Sequence, residues 1–293
     1  MILIAGGTGR LGSRIANDLC RRDLRVRVLS RGLTTPVLVL EDKVEVVHGD
    51  VRDRAGLDQA MNGIDVVVAA VQGFVAPGDV TPESVDRDGN INLIEAAEAR
   101  GASFVLVSAV GVAADSPMEL FRMKCAAEQR LRAGSCKWTI VRSDAYVETW
   151  ADILTQTAGA SGRPLIFGRG TAPVSWVSVD DVAALTEQAV LDDSLRNRVL
   201  EICGPEPIAL MDLAKLVMAH QGWPGNPRRV PRPILHLMAN TIGRVRPALG
   251  RQARAALAMD NLPTRHDDAL RAEFPNLPRT PISQAISRLL VPS

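Results

Sequence analysis

The sequence predicts an α/β fold, a doubly wound parallel sheet with helices on both faces and a smaller C-terminal α/β lobe, and three observations predict it. Residues 1–5 (MILIA) form a short apolar run that passes directly into Gly6-Gly7-Thr8-Gly9-Arg10-Leu11-Gly12, after which Leu11, Ile15 and Leu19 recur at helical spacing. Strand-like and helix-like stretches then alternate through residues 1–150, the pattern that makes a parallel sheet with crossover helices. Residues 65–71 (DVVVAAV) are almost wholly apolar, as a strand covered on both faces must be.

Each element has a local reason. In the turn, Gly6 permits the sharp reversal, Gly9 lets the backbone come close to a bound group, and Gly12 lets helix and strand pack together. Strand, glycine turn and helix N-terminus in this order present free N–H groups to a pyrophosphate, the arrangement of a Rossmann-type dinucleotide site. Here the residues are Gly6, Thr8, Gly9, Arg10, Leu11 and Gly12. Residues 25–29 alternate and form a second strand that runs into Ser30-Arg31. A site selective for NAD places an acid about 20 residues beyond the turn, against the ribose 2′-hydroxyl. Arg31 stands there instead, with Ser30 before it and Arg10 inside the turn. A guanidinium fork suits a 2′-phosphate, so the expected cofactor is NADP(H).

Residues 44–47 are a third strand, followed by His48-Gly49-Asp50-Val51. Asp50 could accept from an adenine amino group with Val51 lining the ring; equally, Asp50 or Asp53 could cap the next helix. The end of the apolar strand puts Ala69, Ala70 and Val71 beside the nicotinamide side of the crevice, and residues 73–83, rich in Gly and Pro, form a loop over it. Residues 84–100 read as a helix with Ile91, Ile94 and Ala97 inward, stopped by Gly101. Residues 104–108 are the fifth strand. Pro117 opens a helix with Leu120, Met123, Lys124, Ala127 and Leu131 along one side, and residues 138–141 are the sixth strand.

Composition narrows the function. A formal net charge of +1 gives no reason to expect nucleic acid as a partner, and 3% aromatic residues leave little for base stacking. Cys20, Cys125, Cys136 and Cys203 lack CxxC spacing, and the four histidines lack ligand spacing, so buried thiols in a reducing compartment are expected and a metal is not. With a strand at the start and no apolar run long enough to span a bilayer, the expected location is cytoplasmic.

These segments resemble the atypical short-chain dehydrogenase/reductases of the NmrA-like kind. The motifs are GGTGRLG at 6–12, HGDVRD at 48–53, VDRDGNINLIEAAEARG at 85–101, FVLVSAVGV at 104–112, KCAAEQRLRAGSCKWTIVR at 124–142, VSVDDVAALTEQAV at 177–190 and CGPEPIALMDLAKLV at 203–217. The resemblance implies an NAD(P)-binding fold and hydride transfer, and leaves the substrate open. Active members of the family use Ser, Tyr and Lys, the last two spaced YxxxK so that they share a helix face. Lys124 matches that lysine, but Leu120 stands where the tyrosine would be, and Ala109 follows Ser108 where many members have a second serine. Carbonyl reduction or sugar epimerisation that depends on the tyrosine is therefore not implied. The resemblance still implies that Lys124 can orient the nicotinamide ribose and supply a proton, since isoflavone-reductase-like and quinone-reductase-like members without the tyrosine work with Lys or other groups. Tyr146, the only tyrosine, follows the sixth strand; it is either a substitute acid or a pocket wall.

In the second half, residues 164–168 and 174–179 look like short strands, Asp180 and Asp181 open a helix over 182–190, residues 198–203 are a strand and 210–220 a helix. Residues 151–293 are thus expected to form a smaller substrate or cap lobe beside a Rossmann-type domain over 1–150, with some elements returning to the main sheet. Between Asp212 and Asp260 no acid occurs, whereas Lys215, Arg228, Arg229, Arg232, Arg244, Arg246, Arg251 and Arg254 fall there with Ile234, Leu235, Leu237 and Met238 between them. The segment 228–254 is a solvated helix face, or meets an anionic substrate, an acidic partner or a membrane surface. Thr280-Pro281 opens a final, docked helix. The expected activity is NADPH-dependent reduction of a small quinone, enone or carbonyl compound. The alternative is a cofactor-binding redox sensor or assembly subunit without turnover.

Overall fold

The computed structural model describes residues 1–32, 43–74 and 80–290. Its strands are β1 (Ile2–Ala5), β2 (Val26–Ser30), β3 (Val44–His48), β4 (Val66–Ala69), β5 (Ser103–Ala109), β6 (Trp138–Ser143), β7 (Leu165–Phe167), β8 (Pro173–Val174), β9 (Arg198–Ile202), β10 (Ile208–Ala209) and β11 (Arg228–Val230). Seven form one sheet in the order β3-β2-β1-β4-β5-β6-β9, all parallel. The chain moves outward from β1 to β3 and then restarts at β4 on the other side of β1. That reversal opens a crevice at the C-terminal ends of β1 and β4, where doubly wound sheets bind ligands.

Helices cover both faces. On one lie α1 (Arg10–Arg21) and α6 (Val179–Leu191), packed together over a core that includes Ile4, Ile15, Leu19, Val28, Val105 and Leu185. On the other lie α2 (Arg54–Ala60), α3 (Asn90–Glu98) and α4 (Glu119–Ala133), over Leu3, Leu57, Val67, Leu93, Phe104 and Leu131. The apolar spacing of α1 is used as it reads: Leu11, Ile15 and Leu19 are all buried. β2 departs from its alternation. All five residues are buried, because Arg27 donates to Ala60 O (2.8 Å) and Asn62 O (2.7 Å) at the end of α2 and pairs with Glu45.

The helix expected over 84–100 begins as a π-helix, Glu83–Gly89, before α3 proper. The wider turn rotates the remainder of the helix about its axis. Leu93, Ile94, Ala96 and Ala97 therefore face the core, and Ile91 is only half-buried. The expected loop over 73–83 lies partly outside the described residues. In α4, Leu120, Lys124, Ala127 and Leu131 are buried as spaced, joined by Phe121 and Glu128, while Met123 is half-buried.

A third core joins α5 (Val147–Ala158), α7 (Leu210–His220) and the C-terminal helix (Ile282–Leu290) around Trp176, Leu154, Leu213, Val217 and Ile286. The strand expected over 174–179 shrinks to β8, because Val177 bridges to Tyr146 and Ser178 caps α6. β8 pairs with β10 and β7 with β11, outside the main sheet, whereas β9 pairs with β6 within it. The final helix docks as expected. Its threonine serves a neighbour instead: Thr280 N and Oγ1 donate to the buried Asp181 carboxylate, at 2.9 and 2.6 Å.

The basic segment folds into β11, α8 (Arg232–Leu237), a π-helix (Met238–Ile242), α9 (Gly243–Val245) and α10 (Pro247–Met259). Much of its charge is used internally. Arg228 donates to Arg163 O and Thr157 O, Arg232 pairs with Asp260 at 3.1 Å, Arg251 lies 3.9 Å from Glu119, and Arg254 donates to Ala239 O. Arg229 and Arg246 are exposed, as are Ile234, Leu237 and Val245; Leu235 is buried.

Candidate functional site

The glycine turn sits at the mouth of the crevice, and its geometry explains its composition. Gly6 has φ +84°, and a Cβ there would come within 2.5 Å of Ala70 O at the end of β4. A Cβ on Gly12 would stand 2.2 Å from Gly6 O and 2.7 Å from Gly7 Cα. The ends of β1 and β4 and the first turn of α1 thus touch backbone to backbone, with no room for a side chain. Gly9 differs: a Cβ there would meet only Gly6 O, at 3.2 Å, so its outer side is open. Gly9 is also the N-cap of α1, with no side-chain cap and no acid in the first turn. The N–H groups of that turn have no intrahelical acceptor and lie at the positive end of the helix dipole. The residues present fit a pyrophosphate.

At the end of β2, Ser30 Oγ accepts from Gly32 N (3.0 Å) and Arg31 is exposed. Beside it the Asp50 carboxylate accepts from Arg52 N (2.9 Å) and is forked by the Arg52 guanidinium at 2.8–3.1 Å. That fork holds Asp50 below the usual carboxylate range, with a smaller push from Arg31. Arg52 is a cation that the sequence alone does not single out; its only local signal is the Asp50-x-Arg52 spacing. Neither Asp50 nor Asp53 makes a side-chain cap to α2. Val51 is buried and its carbonyl accepts from Asn92. Arg10 turns elsewhere, to Asp152 on α5.

At the other end of the crevice, β4 closes with Ala69 buried and Ala70 and Val71 half-buried. Lys124 Nζ donates to Val107 O (3.2 Å) and lies 3.2 Å from Asp86 Oδ1. Asp86 is fully buried and Lys124 is 6% exposed. The other carboxylate oxygen accepts from Gly73 N, 2.8 Å away, just past the end of β4. Burial pushes the Asp86 carboxyl up, and the ammonium pulls it back. Nearby on the same face of the sheet, Ser108 Oγ and Asn90 Oδ1 are buried without a hydrogen-bond partner. Asp86 and Asn90 are absent from the residues expected at the site, although two polar residues four apart on an inward helix face are a readable signal.

Tyr146 is half-buried at the end of β6. Its hydroxyl accepts from Ser143 Oγ (3.0 Å), and burial pushes the phenol up to about 12. It keeps its proton at neutral pH and is free to donate a hydrogen bond. Leu120, one turn before Lys124, is packed in an apolar cluster with Met118, Phe121, Ala255 and Ala258, edged by Phe74 and Ala109. α10 thus closes onto α4 at Leu120. Two cavities, of about 310 and 250 Å³, open at the opposite edge of the sheet around Met1 and Arg25, away from all these groups.

Residues 6–193 match the protein family described as NAD(P)H-binding. The chain belongs to this family. The match spans the glycine turn, both arms of the crevice and α6, and it bears out the resemblance to NmrA-like short-chain dehydrogenase/reductases and the assignment of a nicotinamide dinucleotide as cofactor. The chain is 28% identical to the NAD(P)H azoreductase of Xenophilus azovorans over 228 residues, 76% of this chain and 75% of the relative. It is 32% identical over 213 residues to the (4-alkanoyl-5-oxo-2,5-dihydrofuran-3-yl)methyl phosphate reductase of Streptomyces griseus, 71% of this chain and 69% of the relative. The fold is shared with the NADPH-dependent quinone oxidoreductase of Escherichia coli solved with NADPH, at a TM-score of 0.78 and 19% identity over 99% of both chains. Among the described residues no helix is long and apolar enough to cross a membrane.

Proposed function

We propose that this family member is an NADPH-dependent reductase that passes hydride to a small conjugated acceptor, a quinone, an enone or a related carbonyl compound. The observation that carries the reading is one juxtaposition. An open glycine cradle and the buried Lys124–Asp86 pair lie at the C-terminal edge of the sheet, with an apolar wall where Leu120 replaces a phenol. The cofactor supplies a hydride when bound, and the acceptor takes that hydride with one proton, so both electrons end on the acceptor.

In this reading Gly6, Thr8, Gly9 and Gly12, with the backbone N–H groups of Arg10 and Leu11, hold the pyrophosphate. Ser30 and Arg31, assisted by Arg52, hold the 2′-phosphate, and Asp50 and Val51 border the adenine. Ala69, Ala70 and Val71 line the nicotinamide side, and Lys124 and Ser108 meet the ribose. Tyr146, protonated at neutral pH, is a hydrogen-bond donor toward the acceptor oxygen. The groups missing from the site set the acceptor class. Reducing an isolated ketone develops an alkoxide that needs a strong, adjacent acid. A quinone or enone spreads the charge over a conjugated system and can take its proton from water. The azoreductase and the dihydrofuranyl phosphate reductase among its relatives support reduction of this general kind.

The test is a titration of NADPH and NADH followed by NADPH oxidation over a panel of quinones, enones and azo compounds. Binding without consumption on every acceptor defeats the catalytic part. One observation favours a second reading, a cofactor-binding sensor or assembly subunit that meets an acidic partner through residues 228–254. Ile234, Leu237 and Val245 are exposed on the same short stretch as Arg229 and Arg246. That reading requires binding without turnover, with partner capture lost on charge reversal of Arg229 and Arg246.

A further inference from the structure

Asp86 has no part in the roles assigned above, yet it is fully buried beside the lysine of the site. A carboxylate in such a place is costly unless its partners need it there. It has two. Asp86 Oδ2 takes Gly73 N from the segment after β4, and Oδ1 faces Lys124 Nζ from α4, so one side chain ties two walls of the crevice together. An ammonium has three N–H donors. Val107 O accepts one; Asp86 Oδ1 faces Nζ at 3.2 Å as its ion-pair partner without taking a hydrogen bond, which leaves two. Two further buried polar atoms are unpartnered, Ser108 Oγ on the residue after Val107 and Asn90 Oδ1 one helical turn beyond Asp86, and Asn90 is itself anchored to Asp86 O through Nδ2. A donor, a hydroxyl and an acceptor are what two neighbouring ribose hydroxyls require.

We infer that Asp86 is the charge-compensating and positioning residue of this site, cancelling the Lys124 ammonium so that the oxidised cofactor is held about as well as the reduced one. The inference rests on the reductase reading. A nicotinamide ring is neutral when reduced and carries a positive charge when oxidised. An uncompensated ammonium in a dry pocket opposes formation of that charge, whereas the Lys124–Asp86 pair is neutral and does not.

The experiment is calorimetric titration of the full chain with NADPH and with NADP+ at pH 6.5. The proteins are wild type, Asp86→Asn, Asp86→Glu and the double variant Asp86→Asn/Lys124→Met. The wild type should bind the two forms within a few-fold of each other. Asp86→Asn should weaken NADP+ about tenfold more than NADPH. Asp86→Glu, which keeps the charge, and the double variant, which removes both charges, should restore the wild-type ratio even if absolute affinities fall. If Asp86→Asn does not fold, Lys124→Met carries the test with the sign reversed, favouring NADP+. Equal weakening of both forms in Asp86→Asn makes Asp86 a structural tie only and overturns the inference while leaving the reductase reading intact. If wild type binds neither form, the cofactor reading itself falls.

Discussion

Replacing Gly9 and Gly12 of the turn separates folding from binding. At Gly12 an added methyl lands 2.2 Å from Gly6 O and 2.7 Å from Gly7 Cα. Both are backbone atoms, so α1 must move away from the end of β1. Overpacking against groups that cannot yield costs about 1–3 kcal/mol. For a chain of this size that is a melting-temperature loss of roughly 2–10 °C. At Gly9 the methyl meets only Gly6 O, at 3.2 Å, and φ is −81°, a conformation alanine adopts freely. The stability cost of Gly9→Ala is then about 1 kcal/mol or less, chiefly the poorer N-cap. Its methyl nonetheless projects toward the open side of the uncapped helix, where the phosphates must approach. Gly9→Ala should therefore keep most of the melting temperature and lose NADPH affinity by at least about tenfold, a loss of about 1.4 kcal/mol. Gly12→Ala should lose both. Thermal denaturation paired with calorimetric titration reads the two effects separately. A Gly12→Ala protein with wild-type stability, or a Gly9→Ala protein with wild-type affinity, would refute the assignment of roles within the turn.

Arg31→Ala should cost about 2 kcal/mol of NADPH affinity, roughly thirtyfold, and leave NADH unchanged; equal losses for both nucleotides would remove Arg31 from the 2′-phosphate. Burial raises Asp144 from the ordinary 3.8 to about 6, so the folded state binds this proton more tightly than the unfolded one. Stability is therefore lost as pH rises from about 4 through 6, by up to about 3 kcal/mol. Asp144→Asn should melt higher than wild type at pH 7.5 by more than it does at pH 4, and a pH-independent difference would contradict this. Leu120→Tyr rebuilds the YxxxK spacing but places a hydroxyl among Ala255, Ala258 and Phe121; it should cost about 1–3 kcal/mol in denaturant melts without creating a ketone reductase, and robust ketone turnover would show that α10 does not occupy that space.

The parts of the fold that were legible depend on neighbours in sequence. The glycine turn demands its residues within a few positions of one another, so its geometry could be read directly. The same holds for the buried run of β4 and the spacing of Leu11, Ile15 and Leu19 on α1. The rest depends on pairs far apart in the chain. Asp86 meets Lys124, Asp181 meets Thr280, and Asp260 meets Arg232 and the backbone N–H of Arg169, all through tertiary packing that no local spacing announces. The basic segment looks unpartnered in sequence for this reason, because its acids and the carbonyl acceptors of Arg228 lie outside it. The π-helix before α3 is invisible for another: a single extra residue per turn changes which side faces inward without changing the composition.

Two of the links between the second half of the chain and the crevice are unequal in strength. Arg10, at the N-terminus of α1, pairs with Asp152 of α5, but each side chain is 37% exposed. A pair so wetted is worth about 0–1 kcal/mol, and a phosphate arriving at the same helix end competes with Asp152 for the guanidinium. The contact of α10 with α4 is of another kind. Leu120, Phe121, Ala255 and Ala258 are each at least nine-tenths buried, and the apolar area they remove from water is insensitive to salt or to a bound anion. On the proposed function, the acceptor side of the crevice is therefore shaped by packing and the cofactor side by charge. Changes in acceptor preference should accordingly come from the small residues of α10, where a larger side chain at Ala255 or Ala258 alters the wall directly, and scarcely at all from the Arg10–Asp152 pair.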